Sequence, residues 1–566
     1  MQGSGKSGAR RYGWSPLALI LSAMALCVGP GAARAAEPPK RPNFLVIVAD
    51  DLGFSDIGAF GGEIETPNLD ALATAGVRLT GFHTAPTCSP TRSMLLTGAD
   101  NHTAGFGTMA ELVAANQRGQ PGYEGYLRSD VKTVAERLSA AGYRTLYSGK
   151  WHLGVTPDQD PSKRGFQHSF VMVQASHDHF GGYLVTSPTL GDSVSGATYR
   201  RNGVTLTSLP ADFYSSDAFA TELIAQIKST REGRDGRKPF FAYLPFTAPH
   251  YPLQAPAETI AKYKGRYDEG YDLLRERRLK RQVELGLLDA KTLPHPMAKG
   301  PRWETLSGEQ KASLTRRMEI YAAMVDRLDM NVGRVIAALK ETGEYDDTVI
   351  FFLADNGAEA VDSETSPGAT MRARLARSDT RFEAMGGPNT FPAYGPGWAG
   401  ASTAPSWLYK ASVSEGGTRV VSFVTGKGLG RAGAIDPTFA SVMDITPTML
   451  DLAGAPKTDK PGKLPVQPIR GRSWMPYLTG QAARIYPADQ PVGAHLFSER
   501  ALRQGDWKLI DVGDETWRLF NIAQDPGETV DLSAKEPARK AELLKAYEAY
   551  AKEVGVIMPM PRAPPR

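Results

Sequence analysis

Two similar apolar segments of the chain each end in a pair of oxygen-bearing side chains. The pairs are Asp50 with Asp51, directly after residues 43–49, and Asp355 with Asn356, directly after residues 347–354. Three carboxylates held together without a cation would repel one another, and at least one would have to stay protonated. A donor set made only of oxygens suits a hard divalent cation, calcium first and magnesium second. Either pair alone is more typical of a turn cap, and the duplication favours a metal site.

A cysteine is predicted at the N-terminus of a helix. Cys88 is followed by Pro90, just inside the predicted helix, and by Gly98, which ends it. A helix N-terminus favours anions and activates a side chain placed there. A lone cysteine is by default a small buried hydrophobic group, so its neighbours have to decide between the two interpretations.

Basic and imidazole side chains follow further predicted strands. Lys150 and His152 are two residues apart, so in an extended chain they lie on the same side. His250 comes after another strand, in a loop stiffened by prolines, and Lys410 stands five residues before Glu415. Taken singly, each is more typical of a solvated lysine or a loop histidine. Their roles therefore depend on the rest of the pattern.

Two other histidines, His177 and His179, flank Asp178. Two histidines without a third ligand at a known spacing are more typical of a loop than of a transition-metal site. If they act, we expect them at the rim of the substrate site.

The elements that must position these groups alternate between apolar strands and helices. This alternation predicts an α/β fold with a large, mostly parallel mixed sheet flanked by helices, and ligands at the carboxyl ends of its strands. The pattern changes after about residue 410, which predicts a catalytic domain over residues 36–410 and a smaller domain over residues 411–566. The second should hold an antiparallel sheet and a packing helix. Residues 362–405 show no regular pattern and are predicted to be a surface insertion near the site.

The first 35 residues form a separate region. Lys6, Arg10 and Arg11 precede the apolar residues 17–28 and a stretch of small residues, which predicts a secretory signal peptide over residues 1–35. The alternative is that residues 1–35 stay attached as an uncleaved membrane anchor. Because Arg10 and Arg11 form a pair, both the Sec and the twin-arginine export routes stay open. We therefore expect an exported protein, in the periplasm or outside the cell, with no membrane attachment after the signal is removed.

Charge and cysteine content exclude a nucleic-acid binder and an intrachain disulfide. The chain has 65 basic and 61 acidic residues, and removal of residues 1–35 leaves 61 of each, so a nucleic-acid binder is excluded. The same cleavage removes Cys27, which leaves Cys88 alone and no intrachain disulfide. Nothing in the pattern predicts an oligomeric state.

The run Cys88-x-Pro90-x-Arg92, followed by Thr97-Gly98, resembles the signature of the type I sulfatases, whose cysteine is oxidised to Cα-formylglycine. The spacing of the two oxygen-bearing pairs also matches. From about residue 43 to the C-terminal helix the chain is similar to bacterial arylsulfatases of the alkaline phosphatase superfamily. The resemblance implies an alkaline phosphatase-like fold and hydrolysis of aryl sulfate esters to phenol and sulfate. It also implies a maturation enzyme, formylglycine-generating or equivalent, that converts Cys88.

The resemblance further implies a role for each candidate residue. Position 88, as the hydrated aldehyde, would attack sulfur, with Asp355 as its base and Arg92 holding it. His152 would act when the sulfated intermediate collapses, and His250 would donate a proton to the leaving oxygen. The remaining roles are sulfate binding by Lys150 and Lys410, and calcium or magnesium binding by Asp50, Asp51, Cys88, Asp355 and Asn356.

Other functions stay open at this stage. A phosphodiesterase or phosphonate monoester hydrolase would use the same nucleophile and metal. A choline or carbohydrate sulfatase would differ only in its leaving group, and an inactive binding protein would keep the metal as a structural element. Lys150, His152 and Lys410 together favour the sulfatase, because they supply positive charge to an anion with several free oxygens.

Overall fold

The apolar segment that ends in Asp50 is the centre of a large sheet. The structure is a computed structural model that describes residues 41–185, 196–232, 238–297, 300–362, 369–458 and 466–560. Arg41–Arg566 form one compact unit. The predicted signal peptide lies outside the described residues and stays a prediction.

The described strands are numbered in chain order. They are β1 (Asn43–Ala49), β2 (Val77–Leu79), β3 (Phe82–His83), β4 (Arg144–Lys150), β5 (His168–Met172), β6 (Tyr199–Arg201), β7 (Val204–Thr205), β8 (Phe240–Pro245), β9 (Thr348–Ala354), β10 (Ser422–Thr425), β11 (Ile435–Asp436), β12 (Ala440–Ser441), β13 (Pro491–Leu496), β14 (Glu499–Gln504), β15 (Trp507–Asp511) and β16 (Arg518–Asn521).

Ten of these strands form one mixed sheet, in the order β11-β2-β10-β9-β1-β8-β4-β5-β6-β7. Its middle five strands, β9 to β5 in that order, run parallel. The strands β1, β8 and β9 are buried at every residue, which explains their uninterrupted apolar sequences. In the register between β1 and β9, Ala49 lies opposite Ala354. The two oxygen-bearing pairs therefore leave the sheet at the same edge.

The helices flank this sheet. They are α1 (Pro67–Ala75), α2 (Cys88–Thr97), α3 (Val134–Ala140), α4 (Ser215–Glu232), α5 (Ala257–Ala261), α6 (Tyr271–Glu284), α7 (Gly308–Glu341), α8 (Ala369–Leu375), α9 (Gly395–Ser402), α10 (Glu415–Thr418), α11 (Ile445–Leu452), α12 (Met475–Leu478) and α13 (Pro537–Val554). Helix α7 packs against α1, α4 and α5, while α2 packs against α3 and α11.

A second sheet lies near the C-terminus. It is an antiparallel meander of β13, β14, β15 and β16. Leu502, Leu509 and Leu519 of this sheet form a small core with Leu543 and Tyr547 of α13. The predicted fold class, a large mostly parallel sheet with a small antiparallel sheet and packing helix, is confirmed.

Some sequence predictions differ from the structure. Strands β10 and β11 belong to the large sheet, so that sheet continues past the boundary predicted at residue 410. The described part of residues 362–405 is not a structureless surface insertion, because it contains α8 and α9 and buries Trp398. Its glycines and prolines concealed those helices. Among the described residues, no helix is both long and apolar enough to cross a membrane.

Candidate active site

The carboxyl ends of the parallel strands place the candidate residues in one buried site. Strand β1 leads into Asp50 and Asp51, β9 leads into Asp355 and Asn356, and β4 ends at Lys150. The side chains of all ten predicted site residues are buried, with exposed fractions between 0% and 8%. Asp51 has a φ of 67° and His152 a φ of 54°, a left-handed conformation that is strained for residues with a side chain.

Glycines allow the chain to pass close to these groups. A Cβ on Gly357 would lie 1.9 Å from the carbonyl oxygen of Gly416. The Gly357 N–H instead donates to the carbonyl oxygen of Gly417 at 3.0 Å. This contact holds the loop after β9 against α10, the short helix that follows Lys410. The glycine after Asn356 is therefore required by packing.

Cys88 is the first residue of α2 and points at the aspartate pair. Its Sγ lies 3.5 Å from Asp50 Oδ1 and 3.9 Å from Asp51 Oδ1. Burial raises the pKa of the Cys88 thiol well above its usual value, and the nearby lysines only partly offset this effect. The site therefore disfavours a thiolate at position 88, although the helix N-terminus alone would favour one.

Three buried cationic groups each face one of the carboxylates. Lys150 Nζ lies 2.7 Å from Asp50 Oδ2, and Lys410 Nζ lies 2.8 Å from Asp51 Oδ1. The Arg92 guanidinium donates through Nε and Nη2 to Asp355 Oδ2, at 3.0 and 2.8 Å. Each cation therefore has a carboxylate partner: Lys150 pairs with Asp50, Lys410 with Asp51, and Arg92 with Asp355. The net charge of these six groups is zero when all are ionised.

The carboxyl groups differ in pKa because their surroundings differ. Burial raises the pKa of Asp51 to about 8, against the lowering effect of Lys410. Burial also raises the pKa of Asp355, but the charges of Arg92 and the two lysines outweigh it and the pKa is lowered overall. A bound cation would favour the ionised form of Asp51.

The donor atoms fit a divalent cation. One ligand atom each from Asp50, Asp51, Cys88 and His250 lies within 4.8 Å of all the others. Asn356 donates through Nδ2 to Asp51 Oδ1 at 2.7 Å, while its buried Oδ1 has no hydrogen-bond partner among the described residues. A buried carbonyl oxygen without a donor is suited to a cation. His250 lies in this group although the sequence did not predict it there, and Asp355 and Asn356 stay predicted ligands.

His250 is held from both sides of its ring. Its Nδ1 lies 2.6 Å from the carbonyl oxygen of Tyr251, and its Nε2 lies 3.4 Å from Asp51 Oδ2. Burial lowers the pKa of His250 well below its usual value, and the charges of Lys410 and Lys150 lower it further. The ring is therefore neutral and directs Nε2 at the site.

Two acidic residues of the site have no counterpart among the sequence predictions. Glu111 lies 3.2 Å from His152 Nε2, and Glu359 lies 3.0 Å from Lys410 Nζ. Glu359 stands three residues after Asn356, so its closeness to the end of β9 could have identified it as a site residue from the sequence. No pattern points to Glu111, which lies in a short 3-10 turn, Ala110–Leu112, far from any strand end.

Glu111 fixes the orientation of His152. Burial raises the pKa of Glu111, but the charge and hydrogen bond of His152 outweigh it and lower the pKa to about 2. The carboxylate therefore accepts the N–H of His152 Nε2. His152 Nδ1 is buried and has no hydrogen-bond partner among the described residues. It is left as a proton acceptor.

His179, predicted at the rim of the substrate site, has structural contacts. His179 Nδ1 lies 2.8 Å from Ser215 Oγ, and its Nε2 lies 3.0 Å from the carbonyl oxygen of His250. Both ring nitrogens are occupied, so the pair His177 and His179 does not form a transition-metal site in this structure. His179 instead supports the backbone of His250.

A model of the sulfatase family matches residues 42–455. The chain belongs to the sulfatase family. An uncharacterized sulfatase of Schizosaccharomyces pombe is 45% identical to it, over 92% of this chain and 95% of its own. The arylsulfatase of Klebsiella aerogenes is 40% identical, over 78% of this chain and 93% of its own. This sulfatase is therefore a sulfuric ester hydrolase.

Solved structures share the sulfatase fold. The crystal structure of Ps i-CgsB in complex with k-i-k-neocarrahexaose has a TM-score of 0.63 at 24% identity, over 90% of this chain and 93% of that one. A phosphonate monoester hydrolase of Agrobacterium radiobacter has a TM-score of 0.53 at 18% identity, over 91% and 96%. At these identities the likeness concerns the fold alone, which is common to sulfate and phosphonate chemistry.

Proposed function

We propose that this sulfatase is an arylsulfatase that hydrolyses aryl sulfate esters with Cα-formylglycine at position 88 and a bound divalent cation, calcium before magnesium. The observation that carries the proposal is the pair of buried lysines beside position 88. Lys150 and Lys410 each contact one of the two aspartates that Cys88 Sγ faces. A tetrahedral anion bound there would meet an ammonium group on either side.

The cation would be held by Asp50, Asp51, position 88 and Asp355, with the Asn356 carbonyl oxygen completing the set. It would supply Lewis acidity to the sulfate group and to the nucleophile. The six paired charges of the site sum to zero when ionised. Glu111 and Glu359 also lie in the site, so a divalent cation would offset their negative charge before an anionic substrate binds.

The chain's own residues bind the sulfate and move protons. Lys150 and Lys410 bind sulfate oxygens, and Arg92 fixes Asp355 through two hydrogen bonds. The formylglycine at position 88 supplies the nucleophile. Asp355, ionised because Arg92 lowers its pKa, is placed to accept a proton from it.

His250 is the group that protonates the leaving oxygen. Burial lowers the pKa of His250 well below its usual value, and the charges of Lys410 and Lys150 lower it further. Bound sulfate would neutralise those charges, so the pKa of His250 rises when the substrate is present. Its Nε2 faces the site, at 3.4 Å from Asp51 Oδ2, and would donate a proton to the leaving oxygen from there.

Export to the periplasm or the cell exterior is part of the proposal and rests on residues 1–35 of the sequence. Conversion of Cys88 further requires a maturation enzyme that reads the segment around it before or during folding, because Cys88 is 1% exposed in the folded chain. The small-molecule partner is the sulfate ester itself.

The test compares one aryl leaving group carried on four acids. Initial rates are measured for its sulfate, phosphate monoester, phosphate diester and phosphonate esters, with protein whose position-88 peptide has been weighed for formylglycine. A preference for sulfate in kcat/KM supports the arylsulfatase. A preference for the diester or phosphonate, with the aldehyde present, would overturn it in favour of the phosphodiesterase and phosphonate hydrolase alternative.

A further inference from the structure

The loop that carries Glu111 has little apolar support. This Glu111 loop, residues 108–121, begins and ends at a neck where the Gly107 N–H donates to the carbonyl oxygen of Gly122 at 2.7 Å. Among the described residues that form the hydrophobic clusters of the chain, none comes from this loop. A surface loop with few buried apolar contacts opens easily unless other contacts hold it. The position of Glu111 therefore depends on the polar contacts of the loop.

The chain after α13 lies along the Glu111 loop and is bound there through its backbone. We call residues 557–560 the tail segment. Gln117 Nε2 donates to the carbonyl oxygen of Ile557 at 2.7 Å. Asn116 Nδ2 donates to the carbonyl oxygen of Met558 at 2.8 Å, and Asn116 Oδ1 accepts from the Met560 N–H at 3.0 Å. One asparagine side chain therefore satisfies both a donor and an acceptor of the tail backbone.

Tyr123, beside the neck of the loop, binds the tail segment as well. Its hydroxyl accepts from the Ile557 N–H at 2.9 Å and lies 3.2 Å from the Ile557 carbonyl oxygen. Met558 is 41% exposed and Met560 is 61% exposed, so burial of these side chains does not hold the tail segment in place. Chain ends stay poorly ordered unless something ties them down. The hydrogen bonds to Asn116, Gln117 and Tyr123 supply that tie.

The tail segment starts from a helix that is itself fixed. Helix α13 packs against β13, β14 and β15 of the small sheet. The Tyr550 hydroxyl of this helix donates to Asp100 at 2.9 Å, and the Val556 N–H donates to the carbonyl oxygen of Ala551 at 2.8 Å. The tail segment is therefore a support for the Glu111 loop that does not depend on the loop for its starting point.

The contacts of the tail segment reach Glu111 through one turn. Gln117 Oε1 accepts from the Ala114 N–H at 3.1 Å, so the side chain that donates to Ile557 also holds the backbone three residues after Glu111. Glu111 in turn lies 3.2 Å from His152 Nε2. A hydrogen bond is lost when its heavy atoms separate beyond about 3.5 Å, so a small displacement of Glu111 would release the His152 ring.

We propose that the tail segment positions Glu111, and through it His152, so that Asn116, Gln117 and Tyr123 are positioning residues for the reaction. The inference rests on the proposed arylsulfatase function and adds a remote support to one of its histidines. The three residues act through the Glu111 loop and not on the substrate. Their hydrogen bonds with the tail segment take the place of the apolar packing that the loop lacks.

The test measures kcat and KM for an aryl sulfate, with protein that carries formylglycine at position 88. A variant with both Asn116→Ala and Tyr123→Phe loses four hydrogen bonds to the tail segment and keeps the bond between Gln117 and Ala114. Its kcat should fall about 3- to 30-fold without a rise in KM, because a misplaced group slows the chemistry more than it weakens binding. Gln120→Ala removes an exposed amide side chain from the same loop and should change neither constant.

A Glu111→Gln background separates positioning from a general loss of stability. Glu111→Gln should itself lower kcat. Adding Asn116→Ala and Tyr123→Phe to it should cause little further loss, because the tail contacts act through Glu111. A further loss as large as the one in the wild-type background would overturn the proposal, and so would an unchanged kcat in the double variant.

Hydrogen exchange of the backbone amides gives a readout that does not depend on activity. In the double variant the amides of residues 108–121 should exchange at least about threefold faster, while those of α13 keep their rates. Unchanged exchange in the loop would overturn the proposal while the arylsulfatase function stands. Failure of the function itself looks different: wild-type protein with formylglycine would hydrolyse no aryl sulfate, and the positioning role would be refuted with it.

Discussion

At the scale of single residues, position 88 differs from an ordinary reactive cysteine. Its thiol is buried between two aspartates, and burial raises its pKa. A thiolate nucleophile is therefore disfavoured, and an oxidised position 88 removes the need for one. The signature residues around Cys88 supplied this interpretation from the sequence, whereas the isolated cysteine would have been taken for a small core residue.

The first prediction concerns Cys88→Ala. It should abolish aryl sulfate hydrolysis, because it removes the nucleophile, while it lowers the free energy of unfolding by less than ~2 kcal/mol, since only one buried atom is lost. Activity and urea unfolding are measured together. Ser89→Ala is the control, because Ser89 Oγ is buried without a hydrogen-bond partner among the described residues and its loss should change neither property. An unfolded Cys88→Ala protein would support a purely structural thiol.

The second prediction concerns Glu111→Gln. Glu111 accepts the Nε2 proton of His152 and leaves Nδ1 as a base, so its loss should lower kcat about 10- to 100-fold with little change in KM. Burial lowers the pKa of His152 and Glu111 partly offsets this effect, so the acidic limb of the kcat profile should move to lower pH in the variant. Steady-state rates between about pH 5 and pH 8 measure both effects.

A double variant tests whether Glu111 acts through His152. In a His152→Ala background, Glu111→Gln should cause no further loss of kcat, because the two residues act as one unit. Additive losses, or a single variant with an unchanged kcat and pH profile, would show that Glu111 has no positioning role.

At the scale of elements, α1 shows how a helix start can depend on a distant residue. Thr66 and Pro67 predict the start of α1 correctly, but the Thr66 side chain makes no capping hydrogen bond. Asp329 of α7 instead accepts from the Asn68 N–H at 3.2 Å and from the Leu69 N–H at 2.7 Å. Asp329 lies 260 residues after Leu69, so no local pattern could reveal this cap.

The third prediction concerns Asp329→Asn. Burial raises the pKa of Asp329 to about 6, while the unfolded value is about 3.9. The folded state therefore holds the proton more tightly. The contribution of the protonated Asp329 to the free energy of unfolding is complete below about pH 4, and it declines by up to ~3 kcal/mol as the pH rises through 6. The stability of the wild type relative to Asp329→Asn should accordingly fall between pH 4 and pH 7.

Urea unfolding of both proteins across this range measures that difference, and Asp346→Asn is the control at an exposed position. A difference that grows with pH would contradict the prediction. It would mean that the N–H groups at the start of α1 favour the ionised carboxylate more strongly than burial disfavours it.

Strand and helix positions were largely predictable because each element carries its own signal. Strand β1 and helices α11 and α13 have the bounds that their apolar patterns and prolines indicate. The apolar pattern of the sequence predicts a helix over residues 321–340, whereas α7 begins 13 residues earlier, since its first turns are polar and lack an apolar stripe. The contacts of Lys150 and Lys410 with the two aspartates were not predictable, because they depend on strand order.

At the scale of the whole molecule, the small sheet supports the segments that carry the site. The Tyr550 hydroxyl of α13 donates to Asp100 at 2.9 Å, shortly after the end of α2. Lys508 of β15 contacts Glu415, the first residue of α10, at 2.8 Å. Lys410 lies five residues before Glu415, so the small sheet and Lys410, the lysine proposed to bind sulfate, are connected through one short segment.

The fourth prediction concerns Lys508→Met. Lys508 is buried and lies 2.8 Å from Glu415 and 2.9 Å from Glu528, so its loss removes the nearest cation from two buried carboxyl groups, although Arg419 stays 4.0 Å from Glu415. Removing one partner of a buried ion pair costs about 3–5 kcal/mol, and the free energy of unfolding should fall by that amount. Lys545→Met, at an exposed position of α13, should change it by less than ~0.5 kcal/mol.

A rescue variant identifies the cause of that loss. If unpaired charge destabilises Lys508→Met, adding Glu528→Gln should restore part of the stability, because one of the two buried carboxylates becomes neutral while its volume is kept. The same substitution in the wild type should destabilise, because Lys508 then loses a partner. Equal effects of Glu528→Gln in both backgrounds, measured by urea unfolding, would mean that Lys508 contributes through packing and not through its charge.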